Sequence, residues 1–405
     1  MPVEFAKSTS FMVGKTIQKP IFVRVLFAGI LFGASMLIAL LLAEGILRFA
    51  PDLLPVEVQH IITRNPSNYG VAHPYIGHLQ TPNNALVISG RDFHAVHHTD
   101  GYGFRNRWPW PETAQILALG DSVVFGQGVE DEQAWPAILG RFFSTSRVIN
   151  LGLIGAGPQQ YLRVYQTFGL KLRPKVVLIG FFMGNDFWDA EMFDLWLKSG
   201  AAGSYMVWRD FGRPTSASLD LKQPVGDLLR GLWWRIKLFL RKSYFCNLLL
   251  YVRGDFTGWL PSGKKIFKAP DGRQIELTPS QFANNIRNAK RGQDVFQLVL
   301  SALEQIHSLA KANGATALVI LQPSKEEVYL PLLGEKPADA SAPLRAALGE
   351  LGIPYLDLLE DFQRHAAKGE VLFFETDGHP NSHGYALIAQ LVTAHLRQHA
   401  KEYGL

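Results

Sequence analysis

The chain has 405 residues, 47% hydrophobic and 12% aromatic, which excludes general disorder and suffices for two or three domains or one large sheet domain with insertions. The 40 basic and 35 acidic residues leave a formal net charge of +5. No long basic tract accompanies a nucleic-acid fold signature, so nucleic acid is not an expected partner. The single cysteine, Cys246, excludes an internal disulfide and cysteine-rich zinc sites.

Near the N-terminus, Val25 to Ala43 read VLFAGILFGASMLIALLLA, without a charge. At 1.5 Å per residue this covers about 28 Å, close to a bilayer core of about 30 Å. The run is too long for a signal h-region and lacks a clear cleavage site. A buried helix of this length would normally carry a polar face. Lys7, Lys15, Lys19 and Arg24 precede it, and Glu44, Arg48, Asp52 and Glu57 follow. The expected division is a cytoplasmic N-terminus over 1–24 and a transmembrane anchor over 25–47. The positive-inside rule then puts the remainder outside the inner membrane, in the periplasm of a Gram-negative bacterium.

Residues 48–114 are expected to form a connector with short strands, such as Ala85 to Ser89 and Phe93 to Val96. From 115 to 405 the pattern changes. Short apolar runs at Ile116–Leu119, Val148–Leu151, Val176–Phe182, Ala317–Leu321 and Ile353–Leu358 suit parallel strands buried on both faces. The stretches Glu132–Phe143, Pro158–Leu170, Ser280–Asn313, Pro343–Leu351 and Gly384–Glu402 suit helices. The alternation predicts a doubly wound α/β domain. An insertion over 190–275 interrupts it. Within this insertion, 228–242 interleaves apolar and basic residues with two tryptophans. It reads equally as an interfacial helix on an anionic membrane or as a surface helix with its basic face in water. Asp271-Gly272 marks a hairpin.

Ser122 follows the first buried strand, where ligands gather in an open α/β sheet, and its N–H can point into the same space. Gly-Asp-Ser alone also fits a helix cap or turn. It is not a Gly-x-Ser-x-Gly elbow, because Val124 stands at the second glycine. The second strand ends in Asn150-Leu151-Gly152-Leu153-Ile154-Gly155-Ala156-Gly157. Its glycines let backbone N–H groups approach a ligand, and the spacing is wrong for a dinucleotide loop. The third strand ends in Met183-Gly184-Asn185-Asp186, where the Asn185 amide can donate to a developing oxyanion or form an Asx-turn. Just before the last helix comes Glu375-Thr376-Asp377-Gly378-His379. A histidine base needs a carboxylate to fix its tautomer, and Asp377 is two residues away. Asp377, His379 and His383 are potential metal ligands, but no further ligand cluster accompanies them, so no metal or other cofactor is expected. His73, His78, His94, His97 and His98 read as surface or packing residues.

These four blocks resemble those of the SGNH, or GDSL-type, hydrolase superfamily, over roughly 115–400. The resemblance implies a flavodoxin-like sheet with Ser122 as nucleophile, His379 as base and Asp377 as its partner. It also implies an oxyanion hole from the Ser122 N–H, the Gly155 N–H and the Asn185 side chain. Two positions depart from the usual blocks. Met183 replaces a glycine, and the last block is Asp-x-His rather than Asp-x-x-His, which would put Thr376 in the acid position. The shorter spacing is similar to that of the alginate O-acetyltransferase branch, as is the run Leu321 to Tyr329, which could line the site. The expected function is a membrane-anchored serine esterase acting on O-acyl (acetyl) groups of envelope or secreted carbohydrate. The alternatives are a polysaccharide O-acetyltransferase with the same triad and a non-catalytic carbohydrate-binding or assembly subunit.

Overall fold

The computed structural model describes residues 21–50, 53–54, 70–89, 92–143, 148–201, 203–211, 243–249, 252 and 265–405. The chain divides into two units, Met1–Leu53 and Leu54–Leu405. The first holds one helix of 29 residues, Ile21–Phe49. Its stretch Val25–Phe49 is long and apolar enough to cross a membrane. The run 228–242, expected as an interfacial or surface helix, lies outside the described residues.

The second unit begins with two hairpins. β1 (Val71–His73) pairs with β2 (Gly77–Leu79), and β3 (Ala85–Ser89) with β4 (His94–His98), both antiparallel. Three parallel strands follow, β5 (Ile116–Gly120), β6 (Val148–Gly152) and β7 (Val176–Phe182). A small hairpin, β8 (Lys265–Lys268) with β9 (Gln274–Leu277), turns through Asp271-Gly272. β10 (Thr316–Gln322) and β11 (Tyr355–Asp357) complete the parallel sheet, in the order β11-β10-β7-β5-β6. Numbered within the sheet, the order is 2-1-3-4-5, the flavodoxin-like doubly wound arrangement expected from the four blocks. Its topological switch point lies between β5 and β7, the central place for a ligand.

The strands explain this layout residue by residue. Leu117, Leu119, Val177, Ile179, Val319 and Leu321 enter one buried cluster. Their neighbours Ile116, Ala118, Val176, Leu178, Leu318 and Ile320 enter the cluster on the opposite face. Period-two alternation with both faces apolar is what a covered parallel sheet requires. Gly152 is needed at the end of β6, because a Cβ there would lie 2.2 Å from the Phe125 backbone nitrogen.

Several helices are shorter than their patterns suggested. Ser280–Asn313 is two helices, Pro279–Ala289 and Gln293–Ala312, with Gly292 as the second N-cap. The break serves packing: Asn288 donates to the Met183 carbonyl at 2.7 Å, and the Arg291 guanidinium lies 3.6 Å from the Phe187 ring centre. The helix from Pro158 ends at Val164 and continues as a wider turn, Tyr165–Gly169. Glu132–Phe143 resolves into a single 3-10 turn and the helix Trp135–Phe142. Helices at Asp186–Lys198 and Leu359–Ala367 complete the layers.

Candidate active site

Ser122 opens the short helix Ser122–Phe125 at the carboxyl end of β5. The capping role belongs to Asp121, whose carboxylate accepts from the Val123 N–H at 2.8 Å. Ser122 Oγ is therefore not needed as a cap. It lies 2.8 Å from His379 Nε2 and 3.1 Å from Asp121 Oδ2. On its far side, His379 Nδ1 meets Asp377 Oδ1 at 2.6 Å, and that oxygen also accepts from the His379 backbone N–H at 2.8 Å. The two-residue spacing thus closes a tight loop in which one carboxylate oxygen fixes both the backbone and the ring. Phe182, the last residue of β7, stacks on the imidazole with centres 6.4 Å apart.

Electrostatics couple the groups. Burial alone would lower the His379 pKa, but the charge and hydrogen bond of Asp377, with the charge of Asp121, raise it above its ordinary value of 6.5. Burial pushes Asp377 up, and the His379 charge and hydrogen bonds overcome this, bringing it down to about 2. Burial raises Asp121. Asp377 is therefore ionised at neutral pH, and His379 takes a proton readily, as a general base must.

The other block residues follow β6 and β7, the strands on either side of β5. Gly155 is buried in the turn after β6 with φ +71°, a left-handed conformation that favours glycine. Its N–H has no partner among the described residues. Asn185 precedes the helix Asp186–Lys198 but makes no side-chain cap, so the Asx-turn alternative does not hold. Its Nδ2 donates to Asp189 Oδ2 at 2.9 Å, while its buried Oδ1 has no partner among the described residues. Asp186 accepts from Tyr161 Oη at 2.8 Å and from the Phe182 N–H at 3.0 Å, bracing the same turn. Burial raises Asp186 well above the carboxylate range.

Two supporting residues were not singled out in the sequence. Lys325 follows the Ser324 cap directly after β10 and is fully buried. Its Nζ donates to the carbonyls of Glu375 at 2.7 Å and Asp377 at 3.1 Å, so this residue of the run expected to line the site supports the acid loop. Burial brings the Lys325 pKa down to about 8, against the opposing charges of Asp92 and Asp377. Asp92, beside the β3–β4 turn, accepts from the Thr376 N–H at 2.8 Å and hydroxyl at 3.2 Å. Thr376 is thus engaged with Asp92 rather than with His379. His78, expected as a surface or packing residue, is buried and meets the Ile154 carbonyl at 2.9 Å, beside Gly155. His97 is also buried and accepts from the Gly128 N–H at 3.3 Å. Both belong to packing, while His94 and His98 are exposed. A lysine three residues past a strand's carboxyl end was the one available signal. The two hairpin contacts span 76 and 284 residues and left none. Among the described residues, no group of three His, Cys, Asp or Glu side chains could hold a metal ion.

Lys325→Met will leave two carbonyls without their charged donor. Charge-assisted hydrogen bonds of this kind contribute about 1.5–3 kcal/mol each. The expected result in chemical denaturation is a loss of at least about 2 kcal/mol of stability.

A family model described as ALGX, SGNH hydrolase-like domain, acetyltransferase AlgX, matches residues 282–404. That stretch contains Lys325, Asp377 and His379 but not Ser122, Gly155 or Asn185. No curated protein matches the chain. Among solved structures, a two-domain esterase (CEX) active on acetylated mannans, co-crystallised with mannopentaose, is 12% identical. The match covers 71% of this chain and 49% of that one, with a TM-score of 0.36. The acetyl xylan esterase AlAXEase is 9% identical, over 70% of this chain and 99% of its own, with a TM-score of 0.37. A GDSL-like lipase from Bacteroides thetaiotaomicron is 12% identical, over 72% and 92%, with a TM-score of 0.32. Similarity at this level leaves the chemistry to the residues of this chain.

Proposed function

We propose that the protein is an SGNH-type serine ester hydrolase, anchored by its N-terminal helix, that cleaves O-acyl groups through an acyl-enzyme. The observation that carries this is the continuous run Ser122 Oγ, His379 Nε2, His379 Nδ1 and Asp377 Oδ1, with contacts of 2.8 and 2.6 Å. Nucleophile, base and orienting carboxylate within hydrogen-bond reach are the geometric signature of nucleophilic catalysis.

In the proposed sequence, His379 Nε2 takes the Ser122 proton as Oγ attacks the acyl carbonyl. The Ser122 and Gly155 N–H groups and the Asn185 amide stabilise the tetrahedral oxyanion. As the ester C–O bond breaks, the His379 proton passes to the leaving oxygen. Water then attacks the acyl-enzyme and gives a proton to His379; as the Ser122 Oγ–acyl bond breaks, that proton returns to Oγ and the free acid leaves. A sugar hydroxyl in place of water makes the same steps a transfer. The acetyltransferase named in the matching family model gives that second reading its support.

The proposed address is the inner membrane, with 1–24 cytoplasmic and the catalytic unit periplasmic. Lys7, Lys15, Lys19 and Arg24 before the apolar helix support it. This location favours acylated envelope or secreted carbohydrate as substrate. Supplying 4-nitrophenyl acetate with candidate oligosaccharides separates the readings by mass spectrometry. Free acetate without acetylated sugar is the expected result. Acetylated sugar forming faster than acetate supports transfer. Neither product, with no labelling of Ser122 by a fluorophosphonate, returns the chain to a binding or assembly role.

A further inference from the structure

Of the three proposed oxyanion donors, the Ser122 N–H sits on the relay itself, and the other two follow different strands. Gly155 follows β6 and Asn185 follows β7. One buried carboxylate connects them. Asp189, one turn into the helix Asp186–Lys198, is fully buried. Its Oδ2 accepts from Asn185 Nδ2 at 2.9 Å, and its Oδ1 accepts from Arg209 Nη1 at 3.0 Å. The same Nη1 donates to the Gly155 carbonyl at 2.9 Å. Arg209 comes from the helix Tyr205–Phe211, inside the segment that interrupts the α/β alternation.

We propose that Asp189 and Arg209 are positioning residues that hold the Gly155 N–H and the Asn185 amide at fixed angles toward the oxyanion. This rests on the ester-hydrolase reading above. Holding the Gly155 carbonyl fixes the turn that carries its N–H. Holding one hydrogen of the Asn185 amide leaves the second to donate, and directs Nδ2 rather than Oδ1 at the carboxylate. Reversing the amide would set two oxygens against each other. The guanidinium also fills the place of a side chain at Gly155, since a Cβ there would lie 2.2 Å from Nη1. Position 155 therefore needs glycine both for its φ of +71° and for the arginine above it. Both Arg209 bonds leave one nitrogen, Nη1, whose two hydrogens are fixed in the guanidinium plane, whereas the hydrogens of a lysine ammonium rotate about a flexible stem. Donors preorganised for the transition state act on kcat rather than on ground-state binding.

The test uses detergent-solubilised full-length protein and 4-nitrophenyl acetate. Removing one oxyanion donor outright lowers kcat by about 10²–10³, so loosening donors that remain present should cost less. Arg209→Ala is expected to lower kcat about 10- to 100-fold with KM within about twofold, and added guanidinium should restore part of the loss where equal sodium chloride does not. A folded Arg209→Ala with unchanged kcat overturns the clamp. So does a loss that appears mainly in KM or does not respond to guanidinium. If the alanine variant does not fold, Arg209→Lys keeps the charge but not the fixed planar donor. Its kcat should fall at least about fivefold at constant KM, and an unchanged kcat overturns the clamp. Ser122→Ala measured alongside separates the two failures. Activity that survives in Ser122→Ala removes the hydrolase reading itself. Activity that needs Ser122 but ignores Arg209 removes only the clamp.

Discussion

Ser122→Ala is expected to slow hydrolysis of 4-nitrophenyl acetate by at least about 10⁴-fold, and His379→Ala by a similar factor. The size follows from the geometry. Ser122 Oγ meets His379 Nε2 at 2.8 Å, so the proposed proton transfer needs no rearrangement. Removing either partner ends the same step, and the double variant should be little worse than each single one. The residual rate would come from the oxyanion donors, which neither substitution touches. Initial rates on detergent-solubilised protein, with the fold checked by melting, measure this. Independent, additive losses would mean that the two residues do not act as a unit.

Asp377→Asn is expected to lower kcat by about 10⁴-fold, because an amide can present the wrong partner to His379 Nδ1 and lose the needed tautomer. Thr376→Ala should change kcat less than tenfold, an estimate resting on loss of a single hydroxyl hydrogen bond at about 1 kcal/mol. The contrast decides between the two spacings. The pH profile adds a sign. His379 must be neutral to act, and its pKa is raised, so the acid limb of kcat/KM should lie above pH 6.5 in the wild type. Burial pulls this pKa down and the charge of Asp377 holds it up. Asp377→Asn removes that support, so the residual activity should show its acid limb at lower pH. A limb that stays in place would assign the stabilising charge to another group.

Much of the fold was legible because the parallel strands are short and apolar on both faces, so Ile116–Gly120 or Val176–Phe182 has little else to become. Helix ends were less legible. The break before Gly292 depends on what Asn288 and Arg291 reach in space, which periodicity does not record. The site divides in the same way. Ser122, Gly155, Asn185, Asp377 and His379 sit at strand ends or in one short loop, where position along the chain approximates position in space. Their supports do not. Asp92 reaches Thr376 and Lys325 reaches the carbonyl of Asp377, at separations of 284 and 52 residues. Arg209 arises from a segment without the α/β rhythm, so nothing marked it as a neighbour of Gly155.

The most direct measurement is covalent. Full-length protein treated with a fluorophosphonate, digested and mapped by tandem mass spectrometry should carry one adduct, on Ser122. Labelling should disappear in Ser122→Ala and slow sharply in His379→Ala. An adduct on another serine, or labelling of Ser122→Ala at the wild-type rate, would contradict the account.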